Sequence, residues 1–466
     1  MKVSEHRVAS LWKGLSESGK SSECFVQDAE VRFALVDLLT GSALFGRGEE
    51  LQDRSVLLAT KGQLTTAAAL IELDGIARRI VLCPPDLSLE HLPYVIDVAE
   101  VDGIVTDRAM TKLGRGRPLY FSPCSRSLAP GHHNGRLHHE TEWILLTSGT
   151  TGLPKIVVHN LASLTAAIGR ADASSKSVVW STFYDIRRYG GLQIFLRAAL
   201  NDASLVLSSA EESTTDFLAR AAAAGVTHIS GTPSHWRRAL MSPSANLLNP
   251  EYIRLSGEAV DQAVLHRLRS VYPDARIVHA FASTEAGVAF EVTDSLSGFP
   301  ANTLEVGSGV EMKVENRSLR IRSAGTARCY LGDQAPFKDS TGWVDTGDIV
   351  ELRDNRYYFS GRRDGVINVG GLKVHPEEVE AVISRHPDVH MCIVRAKKSP
   401  ITGALVVADV VLKSPASSTE WQTSAIQEDI LQLCREALPA HKVPAAIQIV
   451  STLELAASGK VQRLDA

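Results

Sequence analysis

The sequence predicts an α/β protein with a large N-terminal domain of parallel βαβ sheets and a small α+β domain at the C-terminus. Three observations predict it. Short β-rich runs alternate with longer helical runs from Glu142 onward, a rhythm that argues for parallel strands covered on both faces. The last stretch of chain breaks that rhythm and places two amphipathic helices around strand-like runs. The length of 466 residues is enough for more than one hydrophobic core.

The elements follow in order. Residues 55–60 and 79–83 are apolar, β-rich runs, and 1–125 carry no motif that can be assigned to chemistry. Residues 130–140 are polar and contain Gly and His, which predicts a loop. Strands are then expected at 143–147, 177–181, 204–207 and 226–230, with helices at 192–200 and 215–224 between them. In the C-terminal part Pro376 suits a first helical position. Val379, Val382, Ile383 and His386 follow it at helical spacing, and Ile426, Ile430, Leu433 and Cys434 share a second helical face. Strands are expected at 389–394 and 405–412. The boundary between the domains is placed near Gly361, giving 1–360 and 361–466.

Composition excludes several classes. Hydrophobic residues make up 44% and charged residues 22% of the chain, and the formal net charge is −4. Such a chain buries a core and has no global attraction to nucleic acid or anionic membrane. The first residues lack the apolar segment of a signal peptide, and no run reaches the ~18–20 apolar residues a membrane span needs. The six cysteines are scattered without CxxC or metal-ligand spacing. Reduced thiols in a cytoplasmic protein are expected.

The chemistry concentrates in Thr147-Ser148-Gly149-Thr150-Thr151-Gly152-Leu153-Pro154-Lys155, directly after a predicted strand. Its glycines let backbone approach an anion, and its hydroxyls and Lys155 can donate to phosphate oxygens. It is not a Walker A loop, because Pro154 and Ile156 flank the lysine where Gly and Ser or Thr are required. Further segments follow in order: Leu255-Ser256-Gly257-Glu258-Ala259, Ala280-Phe281-Ala282-Ser283-Thr284-Glu285, Asp345-Thr346-Gly347-Asp348, the run 361–378, and Ser458-Gly459-Lys460-Val461-Gln462-Arg463.

Together these segments, over residues 140–463, resemble the acyl- and aryl-adenylate-forming (ANL) superfamily of acyl-CoA synthetases, nonribosomal adenylation domains and beetle luciferases. The resemblance implies ATP-dependent activation of a carboxylic acid to an acyl-adenylate, with pyrophosphate released, followed by transfer to a thiol. It assigns Thr147, Ser148, Gly149, Thr150, Thr151, Gly152, Lys155 and Thr284 to the ATP phosphates. Gly257, Glu258, Ala259, Ala280, Phe281 and Ala282 go to adenine, and Asp348 and Arg362 to ribose. Glu285 is implied as the Mg²⁺ carboxylate, which suits an ion that keeps few carboxylates beside phosphate and water. Lys460 is implied as the catalytic cation. Asp364 is implied as the hinge of a mobile small domain, and Gly370, Gly371 and Lys373 as the passage for a pantetheine arm. Ala282 departs from the family's usual Gly.

Such a site fits the reaction. A carboxylate is a poor electrophile until its oxygen is converted into a phosphate leaving group. The transition state gathers negative charge on the α-phosphoryl oxygens, so preorganised cations are the main requirement.

The acid pocket is expected from Tyr184, Asp185, Arg188, Tyr189, His228 and Ser283. The stretch 181–191 leaves two alternatives open: an amino substrate held by Asp185, or an anionic or hydroxyl group held by an arginine. An Asp185–Arg188 ion pair without substrate contact stands beside both. His132, His133, His138 and His139 suggest a metal site, but their loop lacks a carboxylate or thiol frame beyond Glu140, so a solvated loop is favoured.

The run 367–380 is closer to CoA ligases than to amino-acid adenylation domains. An acid–CoA ligase using ATP, Mg²⁺ and CoA is therefore expected. The alternatives are a stand-alone enzyme loading a separate carrier protein's pantetheine, and a nucleotide sensor that has lost catalysis. The aromatic pocket candidates favour a compact or aromatic acid over a long fatty chain.

Overall fold

The computed structural model describes residues 9–17, 23–107, 119–131, 138–147, 153–169, 177–305, 309–332, 335–369, 372–399, 403–413 and 420–453. Two mainly parallel sheets dominate. One has seven strands in the order Cys329–Tyr330, Lys155–His159, Glu142–Thr147, Arg79–Leu82, Ser55–Leu58, Gly103–Thr106 and Tyr120–Pro123. The other has eight, with Val179–Thr182, Ser204–Leu207, His228–Gly231, Tyr252–Ser256 and Arg276–Ser283 as its parallel centre. Ser55–Leu58, Arg79–Leu82, Gly103–Thr106, Val179–Thr182 and Ser204–Leu207 are buried at every position. Burial on both faces is why these strands read as continuous apolar runs rather than alternating ones.

Helices lie between the sheets. Gln63–Leu73 is buried over its whole length. One apolar core joins Val56, Leu58 and Ile80 of the first sheet to Leu205 and Leu207 of the second through this helix and through Leu192, Phe195 and Leu196 of Tyr189–Leu200. A five-stranded antiparallel sheet with its own core of Phe299, Leu319, Ile321, Val344 and Val350 completes the large part.

The C-terminal part is the expected small α+β unit. Val389–Ser399, Gly403–Leu412 and Ala446–Ile449 form one sheet, covered by Pro376–Ile383 and Glu420–Ala437. Val379, Val382 and Ile383 are buried as their spacing predicts. His386 is not on that helix, because the chain leaves it at Ser384. Gly361 and Arg362 still pair with Ile349 and Asp348, so the five-stranded sheet runs to Arg362 before the turn Arg363–Gly365.

The expected strands and helices from Glu142 onward all form, with ends shifted by at most three residues, except that the strand expected at 389–394 runs on to Ser399. No helix among the described residues is long and apolar enough to cross a membrane. All six cysteines are free thiols.

One close contact ties a loop to this frame. A Cβ on Gly191 would lie 2.2 Å from the Asp185 carbonyl oxygen, and helix backbone and loop backbone cannot both yield. Gly191→Ala is expected to cost about 1–3 kcal/mol of stability by overpacking, read as a lower urea midpoint with an unchanged slope.

Candidate active site

The carboxyl ends of the parallel strands point to one place. Register sets Thr182 beside Leu207, Gly231 beside Leu255, and Ser256 beside Ala280. The segments at 183–188 and 257–259 begin where their strands stop, and 282–285 spans the last two residues of Arg276–Ser283 and the turn after it. Open α/β sheets bind ligands at that edge, where loops diverge and backbone groups stay free of the ladder. Gly257 has φ +86°, a left-handed conformation that glycine adopts without a Cβ clash. Glu258 accepts from the Ser234 backbone N–H at 3.0 Å and the Ser234 hydroxyl at 3.1 Å. It thereby caps the helix Pro233–Ala239. Tyr184 is buried and donates to the Ser256 carbonyl at 2.6 Å, bracing the strand end before Gly257.

The phosphate-loop residues 148–152 lie outside the described residues, as do Gly370, Gly371 and Lys460. The strands on either side of the loop are described. Thr147 pairs with Lys155, so the loop leaves and re-enters a closed antiparallel pair. The Thr147 hydroxyl is buried and has no partner among the described residues. Lys155 holds its ammonium 5.5 Å from the ring centre of Tyr330, and the Tyr330 hydroxyl donates to Glu285 at 2.9 Å. Lys155 and Glu285 are thus brought to one place by a residue that the motifs did not mark. An orphaned hydroxyl, a cation and a carboxylate are the donor set that a phosphate chain with a divalent cation requires.

Thr284 is fixed through its backbone. Its carbonyl accepts from Nε2 of His159 at 2.7 Å, while Nδ1 of His159 faces the Ser163 hydroxyl at 2.9 Å. His159 is fully buried, and burial pulls its pKa down to about 4. The ring is therefore neutral, with its proton on Nε2. Ser283 accepts from the Ala286 N–H at 3.0 Å and closes the same turn. Phe281 is partly exposed and stacks on Phe359 at 5.3 Å and on Phe290 at 5.8 Å. Ala282 and Ala280 sit on the same strand end.

Asp348 and Arg362 are direct neighbours across Val344–Arg353 and Arg356–Arg362. Gly347, with φ +72°, allows the bend that presents them. Asp364 lies in the turn Arg363–Gly365. Lys373 pairs with Asn368 in the short hairpin Ile367–Val369 and Leu372–Val374 and is exposed.

The acid-pocket residues separate. Asp185 does not pair with Arg188. Both its oxygens are taken by Arg187, at 2.8 Å from Nε and 2.6 Å from Nη2, in a pair that is almost fully buried. Arg187 also donates to the Thr60 carbonyl of the other sheet. Arg188 caps the following helix in an extended conformation and reaches Asp86 instead. The reason is tertiary: Thr60 and Asp86 approach from the seven-stranded sheet, which local sequence does not reveal. Tyr189 is buried, its ring 5.7 Å from that of His159.

His228 is in the wrong place for the pocket. It stands level with Trp180, Tyr252 and Arg276 at the amino ends of the strands, three residues or about 10 Å from the carboxyl end at Gly231. There it stacks on Tyr252 and bonds to Thr227. Histidines 132 and 133 lie outside the described residues. His138 and His139 donate their backbone N–H groups to the Gly75 carbonyl, and the His139 ring pairs with Asp53. No metal-holding cluster occurs among the described residues.

The family of AMP-binding enzymes matches residues 75–331, and the AMP-binding enzyme C-terminal domain matches residues 378–460. The chain belongs to the AMP-binding enzyme family. It is 26% identical to a 2-succinylbenzoate–CoA ligase of Bacillus licheniformis over 88% of each chain. It is also 26% identical to a D-alanine–D-alanyl carrier protein ligase of the same species, over 71% of each. Among solved structures, a variant of E. coli MenE with bound OSB-AMS superposes with a TM-score of 0.76 at 19% identity, covering 96% of this chain and 95% of that one. The last comparison shows the shared α/β fold with its smaller C-terminal domain.

Removing the Tyr184 hydroxyl tests the brace under the Gly257 turn. Tyr184→Phe is expected to lose about 1–3 kcal/mol, the cost of an unpaired buried polar group. Thermal denaturation and ATP binding by calorimetry should both report the loss.

Proposed function

We propose that this AMP-binding enzyme is an AMP-forming acid–CoA ligase. One observation carries the proposal: Lys155 and Glu285 meet through Tyr330 at the carboxyl edge of the sheets, beside the Thr147 hydroxyl, which is buried without a partner among the described residues. In the first half-reaction a carboxylate oxygen attacks the α-phosphorus of ATP. The bond to the β-phosphate bridging oxygen breaks, leaving acyl-adenylate and pyrophosphate. In the second, a thiol attacks the acyl carbon and expels AMP.

The chain's own residues divide this work. Thr147 and Lys155 hold phosphate oxygens, with Ser148, Thr150 and Thr151 of the loop beside them. Asp348 accepts from the ribose hydroxyls, with Arg362 as its neighbour. Phe281 and the 257–259 turn flank the base. Glu285 holds Mg²⁺, which when bound neutralises charge on the phosphates. Lys460 brings a cation to the meeting point of carboxylate and α-phosphate. The domains are taken as 1–360 and 361–466, with Asp364 as the hinge and Gly370, Gly371 and Lys373 along the thiol's path.

The acid is taken as compact or aromatic rather than a long fatty chain. The buried Asp185–Arg187 pair leaves no free carboxylate oxygen for a substrate amine among the contacts described, which favours a simple organic acid over an amino acid. CoA is the proposed acceptor, supported by the 2-succinylbenzoate–CoA ligase relative over 88% of both chains. The carrier-protein ligase relative makes a pantetheine-bearing protein the second acceptor to test.

Pyrophosphate exchange against a panel of aryl, short acyl, dicarboxylic and amino acids tests the first half-reaction; no exchange with any acid overturns the proposal. Supplying CoA or a carrier protein then identifies the acceptor. Lys460→Ala should abolish adenylate formation by about 10²–10³-fold yet still convert supplied acyl-adenylate to thioester. Equal loss of both steps rejects the assigned role. Gly371→Leu should do the reverse, with adenylation intact and thiol transfer blocked, read as acyl-adenylate accumulating in a single turnover.

A further inference from the structure

The turn that carries Thr284 and Glu285 is gripped by one pair of strands. His159, at the end of the strand that starts with Lys155, holds the Thr284 carbonyl. The Ala327 N–H donates to the Glu285 carbonyl at 2.9 Å. Tyr330, three residues further, donates to Oε1 of the Glu285 carboxylate. The strand of Tyr330 is itself laced to the Lys155 strand. Tyr330 stands opposite Val157, the Arg328 N–H donates to the Val158 carbonyl at 2.7 Å, and the Leu331 N–H donates to the Ile156 carbonyl at 2.9 Å. Phe337 meets the Tyr330 ring edge-on at 4.7 Å and fixes its plane. A Cβ on Gly287 would sit 2.6 Å from the Gly325 carbonyl oxygen, so the turn is pressed directly against this segment.

We infer that Tyr330 is a positioning residue for the Glu285 carboxylate, setting its rotation so that the second oxygen faces a divalent cation on the ATP phosphates. This rests on the proposal that Glu285 holds Mg²⁺. A glutamate side chain has three rotatable bonds, and holding it costs entropy on every binding event unless something has already fixed it. One phenol on one oxygen does so without adding charge, and it leaves the other oxygen unclaimed by that bond. Because Tyr330 rides on the strand beside Lys155, the carboxylate is indexed to the same ladder that places the phosphate-binding ammonium. Partners that orient a metal ligand typically contribute 10–100-fold in metal affinity.

The test uses the full-length protein with a non-hydrolysable ATP analogue and Mn²⁺ as the probe, bound metal being followed by electron paramagnetic resonance. Tyr330→Phe removes only the hydroxyl and keeps the ring against Phe337 and Lys155. It is expected to weaken Mn²⁺ binding roughly 10–100-fold and to raise the Mg²⁺ concentration needed for half-maximal pyrophosphate exchange. Affinity for the metal-free analogue should stay unchanged, a split that general destabilisation does not produce. Tyr330→Leu should weaken Mn²⁺ at least as much, and circular dichroism verifies the fold of both. Glu285→Gln separates the layers. If it leaves Mn²⁺ affinity at the wild-type value, the metal assignment of Glu285 fails. If it abolishes tight Mn²⁺ binding while both Tyr330 variants bind as wild type, the metal assignment stands and the role of Tyr330 is overturned.

Discussion

The antiparallel pair of Glu142–Thr147 with Lys155–His159 is the constraint on which the rest of the site depends. Its register sets Thr147 opposite Lys155, the two ends of the candidate phosphate loop. One face of the second strand is apolar, with Ile156 and Val158 in the core shared with Val81, Ile104 and Ile144. The other face carries Lys155 at the start and His159 at the end. Val157 and His159 on that second face are buried as well, and only Lys155 at the start is partly exposed. A one-residue slip would exchange the faces and drive Lys155 toward the core, so the register is held. The Lys155 ammonium and the support for Thr284 are therefore set by the same hydrophobic pattern.

Around that strand the polar groups are organised so that only a few remain available. His159 is neutral and spends its proton on a carbonyl. Arg187 and Asp185 satisfy one another almost completely out of water, and a buried pair of this kind persists only with good geometry and further hydrogen bonds. Arg187 has these, through its own backbone N–H to Asp185 and through Thr60 across the sheets. Its effect is to bind the loop after Val179–Thr182 to the opposing sheet, fixing the mouth between the two layers. Glu258 likewise caps a helix. Among the described residues the buried Thr147 hydroxyl has no partner and Lys155 holds its ammonium over the Tyr330 ring, a donor pair that suits a polyanionic ligand.

Much of the fold was legible because buried parallel strands write themselves as apolar runs and helices as a 3.6-residue repeat. The strands at 204–207 and 143–147 and the helix faces of Val379 and Ile430 were readable for that reason. Element ends were less so: Gly361 and Arg362 look like the start of a new unit but remain in the ladder of the old one, since strand pairing with Asp348 and Ile349 outlasts the change in composition. His386 keeps helical spacing but follows a helix that has already ended. The phosphate, ribose and metal candidates were legible as short motifs, whose residue types betray their chemistry. Tyr330 and His159 were not, because a lone tyrosine in an antiparallel edge strand and a lone buried histidine carry no local signature.

By itself the sequence determined the alternation of layers, the order of the motifs and the kinds of groups available at each, because periodicity and side-chain chemistry are local properties. Only the tertiary structure decided which group faces which. It gave Asp185 to Arg187 and Arg188 to Asp86, moved His228 to the far end of its strand, and put Tyr330 against Glu285, 45 residues away in the chain. Those pairings depend on how two sheets stack and which strands lie side by side. That is settled by the packing of the whole core, and no short window of residues contains it.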